Sequence, residues 1–232
     1  MCGRFTLTNP SPRRLADRFA LDLDGGFEFD ERPRFNIAPT DPILAVRRSP
    51  ASGLESLAPN EPGHLRWGLL RKEEDRRGRP LINVRAESIA RGSFREAVEG
   101  RRCLIPADGF YEWKGTPEGK RPTWFSRPER ELFAFAGIWN EAIPGDTPQS
   151  PSCALITCEP NESVRPIHDR MPVILSRELE GVWLDPDADS SALLELLVPA
   201  PDDLLVQREV GDSVNDVRED GPHLLDPPMR LF

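Results

Sequence analysis

Cys103-Leu104-Ile105-Pro106-Ala107-Asp108-Gly109-Phe110-Tyr111-Glu112-Trp113 is the stretch that decides the fold class. Cys103 to Pro106 is an apolar run of strand length. Ala107-Asp108-Gly109 carries the residue types of a turn. Phe110 to Trp113 resumes as a strand, and strand side chains alternate between two faces. Tyr111 and Trp113 then share one face, and Phe110 and Glu112 the other. A core-facing Phe110 draws Glu112 inward, where a carboxyl group in apolar surroundings acquires a raised pKa suited to proton transfer. The alternative is a solvated edge position for Glu112.

The same vocabulary extends outward. Strands follow at about Thr123 to Phe125, Leu132 to Trp139 and Cys153 to Thr157, with residues 144–151 as a loop. Upstream, Ile43 to Val46, His64 to Leu69 and Leu81 to Val84 read as strands. Residues 31–40, with Pro33, Asn36, Pro39 and Thr40, read as an ordered loop, and 48–63 and 71–80 as surface loops. Ser11-Pro12 opens a short helix with Leu15 and Phe19 on one face, closed by Gly25-Gly26. A second helix is predicted over about Ala86 to Glu99, weakened by Gly92. His168 and Arg170 precede an apolar strand. Helices follow near Arg177 to Leu184 and Ser190 to Leu197, then a strand at Leu204 to Val206. An acidic, proline-containing tail occupies about 208–232. Hairpin-like strands without βαβ regularity predict an α+β class. The expected architecture is one domain over 1–232, a mixed, mainly antiparallel sheet closing toward a barrel and flanked by short helices.

The chain has 30 Lys and Arg against 39 Asp and Glu, a net charge of −9, which by itself argues against a polyanionic partner. The distribution reverses the argument. Between Arg66 and Arg130 there are 16 basic and 10 acidic residues, and elsewhere 14 and 29. Both flanks are acidic around a basic centre. No apolar run of eighteen residues predicts a membrane helix, and no basic-then-apolar leader is present. Four cysteines, Cys2, Cys103, Cys153 and Cys158, then point to free thiols in a reducing cytoplasm. None are spaced CxxC, so neither a zinc site nor another metal or cofactor is expected.

Cys2 directly follows Met1, and a side chain this small permits removal of the methionine. Cys2 would then carry a thiol and a free α-amine on one Cα. That amine has a reference pKa of about 7.7–8.0, so roughly a quarter is uncharged near pH 7.4. An amine and thiol so placed condense with an aldehyde, first to an imine and then to a five-membered thiazolidine. Gly3 lets the backbone approach a substrate closely. His168, just before a strand, stands where a rigid scaffold delivers site residues, although a single histidine is also common as a structural group.

Several motifs in order resemble one family. They are Met1-Cys2-Gly3-Arg4-Phe5, Phe35-Asn36-Ile37-Ala38-Pro39-Thr40, Arg66-Trp67-Gly68-Leu69, Asn83-Val84-Arg85-Ala86-Glu87 and Arg102-Cys103-Leu104-Ile105-Pro106. Gly109 to Trp113, Phe135 to Trp139, His168 to Pro172 and Val214 to Pro222 continue the series. The chain resembles the SRAP (SOS-response-associated peptidase) family over almost its whole length. It departs after Leu69, where Leu70-Arg71-Lys72 replaces the usual proline and second tryptophan.

The resemblance implies capture of abasic sites in single-stranded DNA, including single-strand/duplex junctions, as a thiazolidine crosslink on Cys2. It implies Cys2, Asn83, Glu112 and His168 as catalytic residues. Arg4, Asn36, Pro39, Trp67, Arg85, Trp113 and Arg170 are the implied DNA contacts, with Trp67 alternatively a core residue. A monomer acting on nucleoid DNA, with some strand-cleaving lyase activity and self-removal of Met1, completes the expectation. Two rivals remain: an N-terminal-nucleophile hydrolase of the glutamine amidotransferase type, and a non-covalent single-strand reader.

Overall fold

The computed structural model describes residues 2–22, 26–48, 60–70, 80–142 and 150–229. Strand β1 (Arg4–Leu7) leads into helix α1 (Pro12–Phe19), then β2 (Arg34–Ile37), β3 (Pro42–Arg48) and β4 (Asn60–Trp67). β5 (Asn83–Arg85) runs straight into α2 (Ala86–Ala90), followed by α3 (Arg95–Gly100), β6 (Arg102–Ala107) and the hairpin of β7 (Gly109–Thr116) and β8 (Gly119–Ser126). β9 (Phe133–Asn140), β10 (Ser152–Cys158), β11 (Met171–Pro172) and β12 (Ile174–Leu175) come next. α4 (Arg177–Leu184), α5 (Ser190–Glu195) and β13 (Val206–Glu209) complete the series. Among the described residues no helix is long and apolar enough to cross a membrane.

The strands form two sheets. The smaller is antiparallel, in the order β13-β8-β7-β1-β2. In the larger, β10 pairs with β9 on one side and with β4 and β5 on the other, so the path β10-β4-β3-β6-β9 returns on itself. The α+β class and the partly ring-like sheet agree with the sequence reading. The main core lies between the sheets. There Phe5 meets Trp67 and Phe135 edge-to-face, at ring-centroid distances of 5.2 and 5.7 Å.

Several local expectations are corrected. The turn read at 107–109 is a corner between sheets: β6 belongs to the larger sheet and β7 to the smaller. Asp108 is the corner where the chain changes sheets. Its buried carboxylate accepts hydrogen bonds from the Thr6 hydroxyl (2.6 Å), the Thr8 N–H (2.6 Å) and the Thr8 hydroxyl (2.7 Å), tying β1 to that corner. The stretch read as a loop over 31–40 contains β2, because β1 leaves an edge that Arg34–Ile37 fill. The single helix over 86–99 is two, since Gly92 and Phe94 both adopt positive φ between them. α1 closes on a left-handed Ala20 before the glycine pair. β4 begins at Asn60, inside a stretch read as loop, and β13 lies two residues later than expected. The remainder of the predicted loops, 49–59, 71–79 and 144–149, and Gly25 lie outside the described residues.

The acidic tail is part of the fold. Val210, Val214, Leu224 and Leu225 pack with Phe35, Tyr111 and Trp124 in a second cluster, half-buried Trp113 against it. That cluster covers the Tyr111/Trp113 face of β7, while Phe110 and Glu112 face the main core, as the alternation predicts.

Gly109 makes the corner tight: a Cβ there would lie 2.4 Å from Trp124 Nε1, whereas one at Gly115 on the same strand meets nothing within 4 Å. Gly109→Ala is therefore expected to cost about 1–3 kcal/mol of stability, measured as a lower urea midpoint, with Gly115→Ala close to neutral.

Candidate functional site

The register of β1 on β7 positions the chain's start. Phe5 pairs with Phe110 and Arg4 with Tyr111. Continuing that register puts Gly3 across from Glu112 and Cys2 across from Trp113. Cys2 is fully buried, and its Sγ–H points to the Arg4 carbonyl at 3.7 Å. Asn83, at the start of β5 in the other sheet, donates from Nδ2 to the Cys2 carbonyl at 2.7 Å. Asn83 Oδ1 is buried and has no hydrogen-bond partner among the described residues. His168 comes from the segment between β10 and β11, and its Nε2 lies 3.7 Å from Glu112 Oε2. The four predicted catalytic residues thus meet where the two sheets join.

Glu112 is 1% exposed. Burial pushes its pKa from 4.5 up to about 7, against a downward pull from the chain's amino terminus and Lys120. Burial also raises the Cys2 thiol well above its ordinary value, and the Glu112 charge adds to the rise. The thiol is therefore held protonated. His168 is lowered, first by burial and then by the amino terminus. The Arg170 N–H donates to His168 Nδ1 at 3.0 Å, while Asp169 Oδ1 lies equally near the same atom. One nitrogen cannot accept the first and donate to the second. The backbone donor is fixed and the Asp169 side chain is 86% exposed, so we assign the proton to Nε2, facing Glu112. The result is a carboxyl group that titrates near neutrality beside a histidine biased toward its neutral form, against a neutral thiol. Lys120 was missed in the sequence because it acts across the β7–β8 hairpin, and no local pattern marks it.

The predicted DNA contacts divide. Pro39 and Trp113 are half-buried and Arg85 is exposed. Trp67 is a core residue: its ring is completely buried against Phe5, with Nε1–H bonded to the Ile82 carbonyl at 2.9 Å. Asn36 is also internal. Its Oδ1 accepts from Arg4, and its Nδ2 donates to the carbonyls of Asp216 (3.0 Å) and Glu219 (2.8 Å). Asn36 therefore holds the tail. Arg4 also reaches the Val214 carbonyl at 2.7 Å. Arg170 is bidentate on Glu87, at 2.6 and 2.9 Å. Among the described residues no group of three or more His, Cys, Asp or Glu is arranged to hold a metal.

A group whose folded pKa is raised loses its stabilising contribution as pH climbs through that value. Between 4.5 and about 7 the charged form of Glu112 costs about 3 kcal/mol. Glu112→Gln should be more stable than the native chain by up to that amount at pH 8–9 and equal to it below pH 4.5. Thermal melts across this range measure the difference.

The SOS response associated peptidase (SRAP) family matches residues 1–217. The abasic site processing protein YoqW of Bacillus subtilis is 36% identical over 236 residues, covering 97% of this chain and 99% of that protein. The abasic site processing protein YedK of Escherichia coli is 26% identical, covering 98% and 100%. The abasic site processing protein HMCES of Gallus gallus is 29% identical, covering 98% and 78%. A solved structure from Bacteroides thetaiotaomicron shares the fold, with a TM-score of 0.80 at 22% identity over 98% of this chain and 100% of that one. With its family match spanning nearly the whole length and the site built at the junction of its two sheets, the chain belongs to the SRAP family.

Proposed function

We propose that this chain processes abasic sites in DNA by capturing them covalently on Cys2 after Met1 is removed. The observation that carries the reading is a buried Cys2 held by Asn83 beside the Glu112–His168 pair. The names of the relatives, abasic site processing proteins, supply the substrate class.

The sugar of an abasic site opens to a C1′ aldehyde. The Cys2 α-amine adds to C1′, and Glu112, neutral below about pH 7, protonates the departing hydroxyl so that water leaves and a protonated imine remains. Glu112 is then a carboxylate and accepts the thiol proton as sulfur bonds to C1′. The thiazolidine closes on a nitrogen that already carries its one proton, and the thiol proton leaves Glu112 neutral, as it began. One water is released in all. A thiol kept neutral by burial fixes the order, amine first and sulfur second. It also weighs against the amidotransferase alternative, which needs a thiolate. His168 serves as acid–base on the C3′–C4′ side and in reversal. An imine that fails to close is open to β-elimination, giving a lyase side reaction. Met1 leaves by self-cleavage or by an aminopeptidase.

The preferred substrate is single-stranded DNA, including junctions with duplex, met by a monomer in the cytoplasm at the nucleoid. Exposed Arg85 would hold a flanking phosphate, as would Arg4 and Arg170 by exchanging their present partners. Pro39 and Trp113 would meet neighbouring bases.

Intact-mass spectrometry after incubation with an abasic single-stranded oligonucleotide tests this. The expected species is the protein without Met1 plus the oligonucleotide less one water. Cys2→Ala should give none, and equal crosslinking by that variant would end the proposal. Turnover of free glutamine with no adduct would favour the hydrolase. Glu112→Gln should crosslink more slowly with binding retained, and its rate should lose the inflection near pH 7.

A further inference from the structure

β1 carries Cys2 at one end and leads to α1 at the other. Thr8 lies six positions after Cys2, a span of about 20 Å in extended chain. At the α1 end lies a cleft of about 900 Å³, lined by the first turns of α1 and α4 and the starts of β9 and β12. None of the proposed catalytic residues lines it. Its floor holds Leu132, Phe133, Ile174 and Leu175, all buried. Its walls carry Arg13, Arg14, Arg18, Arg127 and Arg177 in a chain whose net charge is −9.

The arginines are incompletely matched. Arg18 is committed to Glu180, with two contacts of 2.6 Å. Arg127 reaches Glu131 at 2.7 Å, yet its Nε is buried and has no hydrogen-bond partner among the described residues. Arg14 donates to the Arg130 carbonyl at 3.2 Å. Arg13 and Arg177 have no carboxylate within ion-pair distance among the described residues. Their placement also opposes helix electrostatics. α1 has no acid in its first turn and puts Arg13 and Arg14 there, where its dipole disfavours cations. α4 opens on Arg177, answered in part by Glu178, whose carboxylate is drawn to its own N–H and to Ser176. Asp17 is a further acid on the wall.

A bound tetrahedral oxyanion would remove these conflicts together. It accepts from guanidinium forks and from the N–H groups of a helix start, and the volume suits a small ligand. We propose that this cleft binds a phosphate group, carried either by a nucleotide or by the backbone of a DNA strand. The site is separate from the Cys2 chemistry and does not depend on it.

The test uses the full chain and a triple variant, Arg13→Ala/Arg14→Ala/Arg177→Ala, all at surface positions. Calorimetric titration with pyrophosphate and with ADP probes the nucleotide source. Anisotropy of a labelled, undamaged single-stranded oligonucleotide across salt concentrations probes the backbone source. The native chain should bind one of these probes, and the triple variant should bind it at least tenfold more weakly. If DNA is the source, the salt slope should become shallower by about 2, as expected for three lost contacts on a single strand. The Arg→Lys triple should recover part of the affinity, which guards against misfolding as the cause. Crosslinking of a short abasic oligonucleotide should be unchanged. Equal binding by native and Ala variants overturns the proposal. So does tight binding of a Glu- and Leu-containing peptide with no response to either phosphate probe.

Discussion

The structure depends on a first strand that is interior to its sheet. β1 is hydrogen-bonded on both sides, to β2 and to β7, and its far end is fastened by Asp108 through Thr6 and Thr8. Chain termini ordinarily fray because few contacts oppose their conformational entropy. Here the first residues continue an already paired strand, with Phe5 locked against Trp67 and Phe135 below. The capture proposed for Cys2 would need this rigidity, since a terminal amine and thiol that wander cannot be aimed at one carbonyl carbon.

The same geometry explains the electrostatics. Strand alternation that sends Phe110 into the core sends Glu112 there too, and the loss of water raises its pKa to about 7. A carboxyl group in that position destabilises the fold above neutrality and would serve the proposed chemistry for the same reason, since it titrates near pH 7. His168 arrives from a different segment, its tautomer set by a backbone N–H two residues on.

The C-terminal segment is part of this arrangement. Asn36 and Arg4 bond its carbonyls at Val214, Asp216 and Glu219, and Asp220 accepts from Arg34 and the Phe35 N–H. The acidic tail thereby braces β2 and the start of β1 from outside, while Phe35 and Tyr111 bury its apolar residues. Arg102 plays a comparable part on the far side: it is 7% exposed and donates to the carbonyls of Val98, Glu99, Trp183 and Asp185, joining α3 to α4.

The sequence by itself determined what neighbouring residues decide. The alternation of Phe110, Tyr111, Glu112 and Trp113, the helix at Arg177–Leu184 and the fold class follow from local periodicity and side-chain chemistry. Only the tertiary structure decided which surfaces pair. It placed β6 and β7 in different sheets, made a strand of Arg34–Ile37 and put Trp67 in the core. It also gave Asn36 to the tail, brought Asn83 to Cys2 and set His168 beside Glu112. Those outcomes rest on contacts between residues some 30 to 180 positions apart, each chosen against competing partners, and no local pattern records that competition.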